Sequence, residues 1–426
     1  MGNMADSAQA HEKAASHAAE AALGADQVNA LICLTLPLGM IDVDQAIAAV
    51  EQAAHIGASL DDPLLAARSQ MLAACARLYY DTWRSQDAKI CAFAEQTIHR
   101  LTGSGAPQYP EMPYAILQPL QGDYQGTLKI VEAGILKVSE NTNPVSYLLA
   151  LGAKAVALML LGQFGEALKI MRTAGERAEK NGNDPWLLNI REAWLRTIAL
   201  DFDGARRLCD NMIRSNPGYP KGQPKTISRF ATANAALAQA NYDEALQNFK
   251  QILDKDVTPK FFLHWYWRMQ AQLGLGSVWL ASGHLLNART EANRFLESAL
   301  STADPNLHAL AWDLKARVAI AERDWAVGER DIEEALAILD RFQIPTVAWR
   351  IHATAQEMYR HLKKNKEAET HGERAVEYIL ALANSFAPDE PLRELFLAAV
   401  PVGRILRERA VNKARRRHKL RRSEAP

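Results

Sequence analysis

Apolar and small residues recur along this chain in one repeated order. The clearest copy runs from Gly162 to Met171 and reads as a turn glycine, an aromatic residue, two spacers, an alanine and an apolar run. The stretch from Asn241 to Phe249 has the same order, with tyrosine as the aromatic residue. Self-similarity of this kind is typical of proteins built from one supersecondary unit repeated many times.

A small residue marks the same position in successive units, and nine such anchors are found. They are separated by 42, 39, 40, 38, 40, 43, 40 and 40 residues, so the period is near 40. The anchors are Ala46, Ala88, Thr127, Ala167, Ala205, Ala245, Ala288, Gly328 and Ala368. The position 12 residues before the anchor is also small in seven of the nine units. This pattern predicts hairpins of a helix A, a tight turn and a helix B that approach closely at small side chains.

The small positions, the turn of Gly-Asp/Asn-Tyr type and the prolines near the ends of units resemble the tetratricopeptide repeat (TPR) family. The terminal prolines are Pro185, Pro259, Pro305 and Pro345. The period exceeds the roughly 34 residues of that family and is similar to the longer-helix variety in sensor regions of bacterial signalling ATPases. The resemblance covers residues 26 to 400. It implies an all-α, right-handed superhelical solenoid of nine to ten TPR-like hairpins.

A narrower likeness lies at the end of the repeats. Residues 385 to 399, followed by residues 402 to 406, resemble the closing segment of repeat regions fused to AAA-type ATPases, nucleotide cyclases or kinases in bacteria. The sequence before the repeats holds no recognisable ATPase. Two interpretations therefore stay open, a stand-alone relative and the repeat portion of a larger signalling protein.

The chain divides into four predicted segments. These are a disordered N-terminus (1–10), N-terminal helical repeats (11–105), a main TPR-like array (106–406) and a basic C-terminal tail (407–426). The boundary near residue 106 rests on Pro107, Pro110, Pro113 and Pro119, because each proline removes a backbone donor and disfavours helix before it. The sequence predicts a shortened or kinked helix A and a hinge in the third unit.

Charge is unevenly distributed although the formal net charge of the 426 residues is zero. Residues 404 to 422 hold ten Lys/Arg and one acid, which leaves 39 basic and 48 acidic residues elsewhere. Nucleic-acid binding is predicted only through this tail, since basic side chains attract phosphates. A solvated tail is the simpler interpretation, because the segment lacks interleaved aromatic residues and a folded element that could recognise bases.

Cysteine usage and hydropathy indicate a cytoplasmic protein. Cys33, Cys75, Cys91 and Cys209 form no CxxC pair and are predicted to be buried thiols of a reducing compartment. The longest apolar run, residues 30 to 40, is interrupted by Pro37 and is too short to cross a bilayer. No secretion signal and no membrane span are predicted.

Sequence motifs for catalysis are missing, so we predict a protein that is not an enzyme and that holds no cofactor and no metal. Gly218, Gly222, Lys225 and Thr226 imitate a phosphate-binding loop. Their spacing is wrong, however, and Pro224 removes an amide that such a loop needs. The histidines do not form HExxH, and no GxSxG is present.

The TPR resemblance places the candidate site on the concave face, which helix A lines. The family's inward positions lie 18, 15, 11 and 8 residues before the anchor. In the four central units these positions hold Leu187, Ile190, Trp194 and Thr197; Ile227, Phe230, Asn234 and Leu237; Gln270, Leu273, Ser277 and Leu280; and Leu310, Asp313, Arg317 and Ile320. We predict an aromatic floor of Trp194, Phe230 and Trp267, with Asn234, Asp313 and Arg317 as polar readers.

The alternative for the aromatic residues is burial between repeats, which is their commoner role. The cluster from His264 to Arg268 opens a helix and is interpreted as core first and groove wall second. The two-lysine, two-asparagine carboxylate clamp of chaperone-binding relatives is absent, because only Asn234 fits it. Recognition of an acidic peptide C-terminus is therefore not supported by this resemblance.

Two functions fit the predicted solenoid. The first is a non-catalytic scaffold or adaptor that binds a protein or peptide partner in the concave groove. The second, implied by the likeness to signalling proteins, is a ligand- or partner-sensing regulatory domain for a bacterial ATPase, nucleotide cyclase or transcription regulator. A separate ATPase or cyclase domain would then be a partner.

Overall fold

Helices are the regular secondary structure of the part of the chain that the structure describes. The computed structural model describes residues 4–103, 117–135, 144–182, 184–215 and 221–423. These ranges hold 20 α-helices and one short 3-10 turn, and they contain no strand. The predicted all-α repeat solenoid is confirmed.

The described helices follow one another in chain order. They are α1 Met4–Glu20, α2 Gly24–Ile41, α3 Val43–Ser59, α4 Pro63–Tyr80, α5 Ser85–Thr102, α6 Tyr124–Ile135, α7 Pro144–Leu160, α8 Phe164–Lys180, α9 Trp186–Ile198, α10 Phe202–Ser215, α11 Gly222–Ala238, α12 Tyr242–Leu253, α13 His264–Ala281, α14 Leu285–Leu300, α15 Pro305–Glu322, α16 Trp325–Arg341, α17 Pro345–His361, α18 Asn365–Asn384, α19 Pro391–Ala398 and α20 Val400–Ser423. The 3-10 turn, Gln118–Gln121, precedes α6.

Helices A and B pack as an antiparallel pair in the units for which the structure describes both helices, as the anchors predict. The pairs begin with α2 and α3 and end with α17 and α18. Ala167 and Ala245 on helices B are fully buried, and so are Ala155 and Ala233 on the facing helices A. Small side chains at both positions let the two backbones approach, and the surrounding apolar side chains then pack without voids.

The turn between helices A and B has one geometry in seven units. Five residues before the anchor, the backbone adopts the left-handed conformation, for example at Gly162 (φ 77°) and Ala240 (φ 57°). The next amide then bonds back to the carbonyl five residues earlier, as from Asn241 to Ala236 at 2.9 Å. This closure is the Schellman motif, which satisfies carbonyls that the helix end leaves open.

Two predicted segments differ from the structure or fall outside it. Residues 4 to 10, where the sequence predicts disorder, form the first turns of α1, because Ala8 and Ala15 pack into the core beside α2. Pro107, Pro110 and Pro113 lie outside the described residues, so the predicted kink stays a prediction. Pro119 lies in the 3-10 turn.

Successive turns of the solenoid touch each other along an inter-turn seam. Trp265 Nε1 donates to the Leu78 carbonyl at 2.8 Å, and Asn306 Nδ2 donates to the Tyr124 hydroxyl at 2.9 Å. The Phe164 amide donates to Ser385 Oγ at 3.0 Å. These pairs are 187, 182 and 221 residues apart, or about five repeats. The winding is therefore tight, and the concave face surrounds a narrow lumen.

One described helix, α2, is long and apolar enough to cross a bilayer by length and composition alone. Val28, Leu31 and Ile32 of α2 are buried in the same core as the other repeats. The helix packs between α1 and α3 as helix A of the first unit. Core helices pass the same length and composition test.

Candidate functional site

The lumen contains a cavity of about 360 Å³ beside the helices A of the central and C-terminal units. Residues of α9, α11, α13, α15 and α17 form its wall, and the start of α20 lies at its edge. The volume falls within the range of small-ligand pockets, about 300 to 1,000 Å³. All six residues of the predicted site line it: Trp194, Phe230, Asn234, Trp267, Asp313 and Arg317.

The aromatic part of the wall is a cluster of rings from three helices. The centroid of Trp194 lies 5.0 Å from that of Tyr266 and 6.2 Å from that of Trp267, and Phe230 lies 5.5 Å from Trp267. The indole of Trp194 donates to the Tyr266 hydroxyl at 3.3 Å. Trp194, Trp267 and Phe230 are only 3%, 1% and 9% exposed, so each ring is core on one side and cavity wall on the other.

Asn234 lies half-buried on α11, one turn after Phe230. Its side-chain amide donates to the Phe230 carbonyl at 2.9 Å, within the same helix. This bond fixes the side-chain rotamer and leaves the amide oxygen as an acceptor at the wall.

The charged part of the wall centres on Asp313, which is 2% exposed. Its Oδ2 lies 3.9 Å from Nη1 of Arg317, one turn later on α15, and its Oδ1 has no hydrogen-bond partner. Burial raises the pKa of Asp313, while Arg317, a hydrogen bond from Thr354 and the charge of Arg350 oppose the rise. The carboxylate thus lies near Arg317 and feels the charge of Arg350, and its Oδ1 is unused as an acceptor.

Arg350 and Arg404 extend the charged wall. Arg350, on α17, is half-buried, and its Cζ lies 4.7 Å from the ring centroid of the neighbouring Trp349. Burial lowers the pKa of Arg350 to about 10, with the charge of Asp313 opposing the shift. Arg404, on α20, is exposed at the cavity edge.

A hydrogen-bond network joins the cavity wall to the inter-turn seam. Asp304 Oδ1 accepts from the Asn306 amide at 2.8 Å, which caps α15. Asn306 bonds Tyr124 of the neighbouring turn and accepts from Thr346 at 3.3 Å. Burial raises the pKa of Asp304 to about 6, and the hydrogen bonds from Asn306 and Leu307 oppose the rise.

Several wall residues were not predicted, and three of them supply charge or ring contacts to the site, namely Arg350, Tyr266 and Arg404. Arg350 lies 18 residues before Ala368, the first of the family's inward offsets, so applying the offsets to the last unit would have found it. Tyr266 belongs to the aromatic cluster that was interpreted mainly as core. Arg404 lies beyond the repeats, and no repeat pattern points to it.

Two other side-chain pairs bring potentially reactive groups together. Cys75 and Cys91 place their sulfur atoms 3.5 Å apart between α4 and α5, where both are buried. His352 and His371 face each other at 2.9 Å between their Nδ1 atoms. Within the described part of the chain, no three His, Cys, Asp or Glu side chains form a group that could hold a metal ion.

Comparisons with known proteins establish the fold. A Rap protein complexed with Competence and Sporulation Factor has a TM-score of 0.59 at 12% identity over 85% of this chain and 99% of that one. The Cut9-Hcn1 hetero-tetramer of APC/C gives a TM-score of 0.49 at 13% identity over 89% and 76% of the two chains. A tetratricopeptide repeat protein from Parabacteroides merdae gives 0.34 at 15% identity over 66% and 96%.

The sequence itself matches no protein-family model, and no curated protein matches it. At 12% identity, the likeness to the Rap protein concerns the fold alone.

Proposed function

We propose that this chain is a non-catalytic binding module that captures a peptide or protein segment in the lumen. The observation that carries the proposal is the cavity, where side chains from five helices A converge on one space. Its wall combines rings with a few polar groups, which is the usual composition of a recognition pocket. The similar fold of the Rap protein, which holds a bound factor, supports binding as the activity.

The test is to block the cavity without disturbing the core. Ser277 is half-buried on the wall in α13, whereas Asn293 is exposed on α14 of the same hairpin. The full-length chain is used as bait, and the partner is identified and titrated against the wild type, Ser277→Trp and Asn293→Trp. We expect Ser277→Trp to weaken binding at least about tenfold, because it fills the space that the partner occupies.

Equal binding by Ser277→Trp and the wild type, with a loss in Asn293→Trp, would place the interaction on the outer surface and refute the lumen as the site. Thermal melts of all three proteins control for folding. Asn293→Trp should melt close to the wild type, since substitutions on an exposed surface are usually nearly neutral.

A second function is favoured by the link between cavity and seam. Asn306 lies on the cavity wall and bonds Tyr124 of the neighbouring turn, so an occupant that moves Asn306 also acts on the seam. This coupling suits a ligand- or partner-sensing domain that regulates a bacterial ATPase, nucleotide cyclase or transcription regulator. Hydrogen exchange at the Phe164 amide, which bonds Ser385 across the seam, should change when the partner binds. Unchanged exchange would contradict the sensor.

A further inference from the structure

The cavity wall has an excess of positive charge that the protein does not neutralise. Arg317, Arg350 and Arg404 come from three different helices and line one space. Of the three, only Arg317 has a carboxylate within 4 Å, namely Asp313 at 3.9 Å. In the part of the chain that the structure describes, Arg350 and Arg404 make no ion pair.

Burial makes this excess costly for Arg350. A guanidinium that leaves water without a matching anion loses more solvation free energy than it regains. The lowered pKa of Arg350 reflects that loss. Asp304, the second acid on the wall, already accepts from the backbone and side-chain amides of Asn306. An anion brought by a ligand would therefore meet two to three under-compensated guanidinium groups, which bind carboxylates by paired hydrogen bonds.

Asp313 favours a ligand that carries a hydrogen-bond donor. Its Oδ1 is buried on the cavity wall and has no hydrogen-bond partner. Such an acceptor gains most from an N–H or O–H group that enters with the ligand.

The aromatic part of the wall favours a ligand with an apolar body. Trp194, Phe230 and Trp267 lie on α9, α11 and α13, whereas the arginines lie on α15, α17 and α20. Leu237 and Leu273 complete the apolar side. A ligand that fills the cavity thus meets rings from one set of helices and cations from another.

We infer that the cavity takes a ligand with an apolar body that carries a carboxylate beside an N–H donor. This chemistry is shared by the C-terminal residue of a peptide and by a free N-acyl amino acid. The inference rests on the proposed binding function and specifies its ligand. It does not depend on the lysine and asparagine clamp that the sequence lacks, because arginines from three helices replace it.

The probe is N-dansyl-L-phenylalanine, compared with its amide, which keeps the apolar body and loses the charge. Fluorescence titration of the full-length chain should show the acid binding at least about tenfold more tightly than the amide. Arg350→Gln should abolish that preference and leave affinity for the amide within about threefold. The matched control is Arg360→Gln, on the same helix, where Arg360 is exposed and pairs with Glu408 outside the cavity. This control should keep the preference.

Two further probes distinguish a peptide C-terminus from a free acyl amino acid and test the role of the N–H donor. Dansyl-Ala-Ala-Phe represents a peptide C-terminus, and whichever of peptide and acyl amino acid binds more tightly identifies the source. An N-methylated dansyl-phenylalanine lacks the N–H and should bind several-fold more weakly than the parent acid if Asp313 accepts from it.

Equal affinity for acid and amide, or a preference that survives Arg350→Gln, would overturn the ligand assignment. So would a complete failure of the acid and peptide probes to bind. The proposed binding function is tested by a different experiment, the effect of Ser277→Trp on binding of the captured partner, so the two proposals can fail independently. Thermal melts of the Arg350 variant confirm that the protein is folded in each titration.

Discussion

Two regions of the inner surface contain arginine, yet one is packed solid and the other borders a cavity. In the sealed region, which consists of Tyr79, Arg191 and Phe262, the two rings lie 4.6 Å apart and Arg191 Cζ lies 5.3 Å from the Phe262 ring. Arg191 is 1% exposed, and its Nε and Nη1 have no hydrogen-bond partner. In the open region, which consists of Asp313, Arg317 and Arg350, the side chains surround about 360 Å³.

The difference depends on the side chains that other helices place beside each arginine. Beside Arg191, the segment before α13 is pinned to α4, where the Leu263 amide donates to the Tyr79 carbonyl at 2.8 Å. This bond brings Phe262 over the guanidinium. At the open region the adjoining element is the start of α20, whose Val400 and Arg404 stay exposed. An inward-facing residue thus becomes core or pocket according to side chains that lie about one to three repeats away in the sequence.

The largest effect is expected where the cavity wall is also core. Trp194→Ala should cost about 3 to 5 kcal/mol of unfolding free energy, because it removes a buried indole and its ring contacts. Asn234→Ala, on the same wall, should change stability by about 0.5 kcal/mol or less, since its bond is local to one helix and alanine favours helix. Urea denaturation checks both. Equal, small costs would show that Trp194 is a free groove residue rather than part of the core.

Replacing the sealed arginine should change stability more than replacing the open one. Arg191→Met should stabilise the protein by about 1 to 4 kcal/mol, because it replaces a buried, unpaired charge with an apolar side chain of similar length. Burial lowers the pKa of Arg191 to about 10, which is consistent with a charge that the fold disfavours. Arg350→Met should change stability less, since Arg350 is half-buried and near Asp313. A destabilised Arg191→Met protein in thermal melts would contradict the contrast.

Asp304 tests whether the cavity wall is dry where it meets the inter-turn seam. The pKa of Asp304 is raised from 3.8 to about 6, so the folded state binds the proton more tightly than the unfolded state. Its contribution is fully present below pH 3.8 and is lost as pH rises through 6, up to about 3 kcal/mol. Asp304→Asn keeps a capping oxygen and should remove this slope. Urea denaturation at pH 4.5 and pH 7 measures this pH dependence in the wild type and in the variant. The same dependence in both proteins would mean that the Asp304 carboxyl is hydrated.

The repeat architecture could be predicted because it depends on local rules. Small residues at fixed offsets from Ala167 and its counterparts allow two helices of the same unit to pack closely, and this packing depends only on residues within the unit. The same offsets placed Asn234, Asp313 and Arg317 on one inner surface, and they place Arg350 there as well when applied to the last unit. Whether these residues bind a ligand stays a prediction.

Other features depend on contacts between distant residues, and the sequence gives no pattern for them. Trp265 bonds Leu78 across 187 residues, and no periodicity marks such a pair. Without the seam, the sequence could not show that the concave face is a narrow lumen or that Phe262 closes one part of it. The proximity of Cys75 and Cys91 is missed for a related reason, because their 16-residue spacing depends on how α4 and α5 cross.

Gly165 tests the seam beside the open region. A Cβ at Gly165 would lie 2.2 Å from the Ser385 carbonyl oxygen and 3.1 Å from the Phe386 Cα, both backbone atoms that cannot rotate away. Gly175, on the same helix α8, would meet only Pro185 Cβ at 3.5 Å, which is an ordinary contact. Overpacking costs about 1 to 3 kcal/mol, and replacing a helical glycine with alanine returns about 1 kcal/mol.

Gly165→Ala should therefore destabilise the protein by up to about 2 kcal/mol and speed hydrogen exchange of the Phe164 amide. Gly175→Ala should be neutral or stabilising by up to about 1 kcal/mol. Because the sealed region is pinned through α4 and α13, exchange of the Leu263 amide should not change in either variant. If Gly165→Ala speeds exchange at Leu263 as much as at Phe164, the two regions open together, and the contrast between them is one of packing rather than of independent stability.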